Sequence, residues 1–95
     1  MNYELIADIT QIIYKAYPDG KVDTAREINP GRYCFYVRLG DGSRQILKVT
    51  DNCADNNSVK VILDTIYTYC LSEMRENPKK AVVLKEDLSR DVVIL

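Results

Sequence analysis

Apolar residues in the stretch YELIADITQIIYKAY (3–17) fall at Leu5, Ile6, Ile9, Ile12, Ile13 and Ala16. Spacing of i, i+4, i+7, i+8, i+11 gathers them on one side of an α-helix. Glu4 and Asp8 lie in its early turns and Lys15 in its last, as the helix dipole favours. Pro18-Asp19-Gly20 then stops it. From residue 32 the period changes to two. In RYCFYVRLGDGSRQILKVT, Tyr33, Phe35, Val37 and Leu39 alternate onto one face, which Leu47 and Val49 must share. A two-residue Asp41-Gly42 loop would set Phe35 opposite Lys48. A three-residue Gly40-Asp41-Gly42 loop sets Phe35 opposite Leu47 and Tyr33 opposite Val49, which keeps the apolar set together. Because a one-residue slip turns every side chain over, the pattern predicts the three-residue loop, with Gly42 in the left-handed position of a bulged turn.

The helical period returns over NSVKVILDTIYTYCLSEMRE (57–76). Val59, Ile62, Leu63, Ile66, Cys70 and Met74 form a stripe there, widened by Tyr67 and Tyr69. Asn77-Pro78 ends it. AVVL (81–84) and DVVIL (91–95) are β-branched runs separated by polar KEDLSR, and read as one or two strands. Residues 21–28 fit a short strand through Val22 and Ile28, or a helical turn over DTARE. Asn29-Pro30-Gly31 follows as a turn, with Pro in the second position and Gly where φ is positive. The order α-β-β-β-α-β predicts an α+β fold, one antiparallel or mixed sheet packed against two helices in a single domain over 1–95. Its first five elements resemble in order the double-stranded RNA-binding domain, whose second helix opens with a lysine cluster. Here that stretch is DNCADNNSVK, acidic with one Lys.

Composition acts mainly by exclusion. Leu, Ile, Val and Phe number 27 of 95 residues, enough to expect a packed core. The 13 basic and 14 acidic residues nearly cancel, so the overall charge points to neither nucleic acid nor a membrane. No apolar run approaches the roughly 20 residues that span a bilayer, and MNYELIADIT lacks the pattern of a signal peptide. Cys34, Cys53 and Cys70 are odd in number and without a CxxC, which argues against a disulfide framework or zinc site and for a reducing, cytoplasmic setting. Histidine is absent, removing Ser-His-Asp and Cys-His nucleophiles, His-ligated metals and an imidazole base. The expectation is no catalytic residue, no cofactor and no metal.

The stretch DNCADNNS (51–58) raises the metal question directly. An EF-hand loop needs oxygen ligands at positions 1, 3 and 5, Gly at 6 and Glu at 12. Counted from Asp51, position 3 is Cys53, position 6 is Asn56 and position 12 is Ile62, so the pattern fails. The stretch reads instead as a helix start with Asp55, Asn56, Asn57 or Ser58 as the cap. Cys53 would then sit near a helix N-terminus, where thiol pKa values fall, though its acidic and amide neighbours offer no positive partner. Cys70, on the stripe, reads as a small core hydrophobe.

Two surfaces invite binding. If Tyr33, Phe35 and Val37 point inward, then Arg32, Cys34, Tyr36 and Arg38 point outward beside Arg44, Ile46 and Lys48. Residues 20–50 hold six basic side chains against three acidic ones. Tyr36, Arg38, Arg44 and Lys48 are therefore candidate contacts for a phosphate backbone or an acidic protein surface. Tyr3 and Tyr14 lie on the first helix opposite its apolar stripe, and tyrosine is favoured at interfaces. The alternative is that the chain's own C-terminal segment covers them. The expected function is a small non-catalytic inhibitor or adaptor, of the kind phage and mobile-element genes encode, acting by protein–protein contact. A nucleic-acid-binding module using the outer face of the 32–50 hairpin is the second reading. DVVIL, lacking polar alternation, suits a strand buried on both faces, and a homodimer through this segment is expected.

Overall fold

A computed structural model describes residues 2–94. The first helix, α1 (Tyr3–Ala16), is capped by Asn2, whose Oδ1 accepts a hydrogen bond from the Leu5 N–H at 3.0 Å. It buries Leu5, Ile9 and Ile13. DTARE is strand, not helix. It lies within β1 (Lys21–Glu27), which forms an antiparallel meander with β2 (Arg32–Arg38) and β3 (Arg44–Thr50). The register argued from alternation is the one observed, with Phe35 opposite Leu47 and Tyr33 opposite Val49. The Leu39 N–H donates to the Ser43 carbonyl across the three-residue loop, and Gly42 holds φ +85°.

The turn between β1 and β2 departs from expectation. Asn29, not Gly31, takes the positive φ (62°), and the Asn29–Pro30 peptide is cis. Gly31 is needed for close approach: a methyl group there would overlap the Asp51 carboxylate, while the Asp51 N–H donates to the Gly31 carbonyl at 3.0 Å.

Asp51 opens a short helix of its own, α2 (Asp51–Asn56), which sequence reading had merged into the next. Thr50 caps it by accepting from the Cys53 N–H at 3.1 Å, and Cys53 turns into the core. Of the four cap candidates, Ser58 caps the long helix, accepting from the Val61 N–H at 3.2 Å. That helix begins at Val59 rather than 57. It runs as α3 (Val59–Thr65) through a π-helical turn (Ile66–Cys70) into α4 (Leu71–Glu76). The π turn has a reason in the sequence. Ile62, Ile66, Cys70 and Met74 recur at strict i+4 spacing, and on an α-helix each such step drifts by about 40°. One wider turn, marked by the Leu71 N–H donating to the Ile66 carbonyl, compensates that drift. All four residues are fully buried as a result. Tyr67 and Tyr69, expected to widen the stripe, point to solvent instead.

The C-terminal runs form two strands, β4 (Lys80–Leu84) and β5 (Arg90–Ile94). β4 pairs in parallel with β3 and β5 antiparallel with β4, completing a mixed sheet in the order β1-β2-β3-β4-β5. The β4–β5 loop repeats the first hairpin's chemistry. Asp87 accepts from the Ser89 N–H as Asp41 does from Ser43, with Leu88 at φ 68° where Gly42 stood. The burial expected for DVVIL is corrected. AVVL is the strand buried on both faces, because β4 lies inside the sheet, whereas β5 is an exposed edge. Leu95 lies outside the described residues. Both main helices pack on one sheet face, where Phe35, Val37, Leu47, Val49, Val82 and Leu84 meet Leu5, Ile9, Ile62 and Met74. Among the described residues no helix is long and apolar enough to cross a membrane.

Candidate functional site

Among the described residues, no helix covers the other sheet face. Tyr36, Arg38, Arg44 and Lys48 all stand on it, because each lies one residue out of phase with the core-facing positions of β2 and β3. The register sets Tyr36 beside Ile46 and Arg38 beside Arg44, and with Asp23 the three polar side chains line a cleft of about 380 Å³. The expected basic patch is nevertheless interrupted by acids and only partly offset, with two carboxylates answering its four cations. As a strand, β1 places Glu27 opposite Arg32 and Asp23 opposite Tyr36, on the same face as the cations. Lys48 Nζ donates to Glu27 Oε2 at 3.0 Å. Arg32 Nε lies 3.0 Å from Glu27 Oε1, an ion pair without the alignment of a hydrogen bond. The Lys48 hydrogen bond holds the Glu27 carboxyl below the usual range, against the opposing pull of desolvation. Arg38 and Asp23 form a looser, exposed pair at 3.6 Å. Arg44 has no ion-pair partner among the described residues. The excess of cations in 20–50 was legible; the acids that answer it were not, since β1 was ambiguous.

All three thiols are buried, and burial raises the pKa of each. Cys34 lies on the same face but is buried, and burial, then Glu27, pushes its pKa up. Cys53 sits inside the core rather than at an exposed helix start, and burial lifts it to about 11. Cys70 packs as expected and is lifted to about 12, again chiefly by burial. Among the described residues no three His, Cys, Asp or Glu side chains cluster as metal ligands would.

The first-helix tyrosines belong to a different surface. Tyr14 reaches the outer edge of β1, where its hydroxyl accepts from the Val22 N–H at 3.2 Å. Tyr3 is exposed and borders a cavity of about 230 Å³ with Ile6, Arg26 and Tyr33. What Tyr14 contacts is therefore β1, not the C-terminal segment.

Two further tyrosines, expected on the apolar stripe, belong to the surface instead. Tyr67 borders a groove of about 600 Å³ between α1 and α4, lined also by Ile12, Lys15, Leu71 and Arg75. Tyr69 lies beneath Arg90, whose guanidinium carbon is 4.5 Å from the ring centroid while its Nε donates to Glu73 at 2.8 Å. The available signal was the strict i+4 stripe, which an α-helix cannot keep on one face. Comparison with protein-family models, with curated proteins and with solved structures returns no match.

Proposed function

We propose that this is a small non-catalytic binding protein of the cytoplasm, an inhibitor or adaptor that contacts another protein through the uncovered sheet face. Carboxylates set among the cations of that face carry the reading. Glu27 stands between Arg32 and Lys48, and Asp23 beside Arg38. A phosphate backbone laid across it would meet carboxylates as well as cations, reducing the counterion-release gain that drives such binding. A protein partner suits the mixture better, because interfaces combine aromatic and Arg anchors with paired charges. Tyr36, Arg38 and Arg44 supply the anchors around the cleft.

Affinity capture from host extract, with and without nuclease, tests this. The wild-type chain is expected to retain a protein that survives nuclease treatment, and R38E/R44E to lose most of it. Capture abolished by nuclease and falling steeply with salt would assign the face to nucleic acid instead.

A further inference from the structure

The two edges of the sheet are built differently. On β1, Lys21, Asp23 and Arg26 put charge along the strand, and the Tyr14 hydroxyl covers the outward Val22 N–H. β5 carries apolar side chains where edge strands normally carry protective charge. Val92 and Val93 are each 42% exposed and Ile94 78%. The hairpin also fixes which backbone groups of β5 are free. Its closing bond runs from the Lys85 N–H to the Ser89 carbonyl. Antiparallel alternation therefore directs Asp91 and Val93 toward β4, and leaves the N–H and C=O groups of Arg90, Val92 and Ile94 pointing out of the sheet.

We propose that this edge pairs antiparallel with β5 of a second copy, about a twofold axis through Val92, so that two five-stranded sheets become one. Only a register in which outward-pointing residues oppose one another can form the ladder, and centring it on Val92 engages all three. Val92 then faces its own counterpart, Arg90 faces Ile94 and Asp91 faces Val93. No charge meets its like. Arg90 is already held by Glu73 and Tyr69, and Asp91 by Lys85 at 3.3 Å, so their charges stay satisfied within each copy. The edges left over in such a dimer are the two charged β1 strands. An isologous contact of this kind closes and does not propagate. The inference concerns a different surface from the open face and stands independently of it.

Light scattering coupled to size exclusion on the full chain is the test. The expected mass is twice the 10.9 kDa of one chain, falling on dilution. Val92→Pro removes an N–H that the chain's own sheet does not use, so it should leave the fold's circular dichroism intact and give a monomer. Val92→Lys, the variant to rely on if the proline unfolds the hairpin, should raise the dissociation constant roughly tenfold or more. A wild-type chain that stays monomeric at millimolar concentration overturns the proposal. So does a dimer that Val92→Lys does not weaken.

Discussion

Lys48 lies on the uncovered side of β3, yet only 11% of its side chain is exposed, and its ammonium is held by Glu27. A lysine read from sequence as a free surface cation is thus part of the structure. Lys48→Glu would set a second carboxylate against Glu27, and the expected cost is roughly 1–3 kcal/mol, limited because Glu27 keeps a third of its side chain in water. Urea unfolding should show the loss as a lower midpoint at unchanged slope. Arg38→Glu with Arg44→Glu should leave the midpoint almost unmoved, since both side chains are exposed. That contrast is why the pair at 38 and 44, not 48, probes binding. Gly31 teaches the same lesson at the backbone: its sequence suggested a turn glycine, but its place is set by Asp51, twenty residues away and itself held by Arg26.

The elements divide by where their determinants sit. α1, the β2–β3 register and its Gly42 turn were legible because period, cap and loop chemistry lie within each segment. The π turn follows from spacing that can be read, but only against a known core face. Its consequence can be tested by deleting Thr68, an exposed residue within it. The stripe of Ile62, Ile66, Cys70 and Met74 would then recur at i, i+4, i+7, i+11, which a plain α-helix keeps on one side. The shortened chain is expected to fold with its helical circular dichroism retained. A chain that fails to fold would show that the turn is required by more than phase. The exposure of β5 was not legible, because AVVL and DVVIL have the same local character. Only strand order makes one central and the other an edge. The candidate site was half legible for a related reason. Its cations alternate along β2 and β3, while their partners arrive from β1.

For the molecule as a whole, titration should confine stability to a plateau. Glu27 is held low by Lys48, Asp51 by Arg26, and Asp41 and Asp87 by hydrogen bonds from Ser43 and Ser89. Groups lowered in the fold contribute stability above their unfolded values, about 3.9–4.3, and lose it as pH falls through the folded ones. Cys53 and Cys70 behave oppositely. Raised to about 11 and about 12, they contribute fully below an unfolded value near 8.5 and lose that contribution as pH rises from there. No histidine titrates between. Melting temperature is expected to be flat from about pH 5 to 8 and to fall on both sides. Cys53→Ala with Cys70→Ala should flatten the alkaline limb. An alkaline limb unchanged in that variant would remove the thiols as its cause.

The parallel pairing of β3 with β4 has a consequence for how the chain assembles. Strands β1 to β3 are joined by short turns, so their contacts are local and cheap to close. β4 reaches β3 only after the whole crossover of α2, α3 and α4 is laid over the sheet, and such distant contacts form slowly. During synthesis the β3 edge, with Ile46 and Leu47, stays unpaired until residues 80–84 arrive. The strand buried most completely in the finished sheet is then a late arrival. In the interval the nascent meander exposes an apolar edge of the kind that folding helpers recognise and that aggregation exploits.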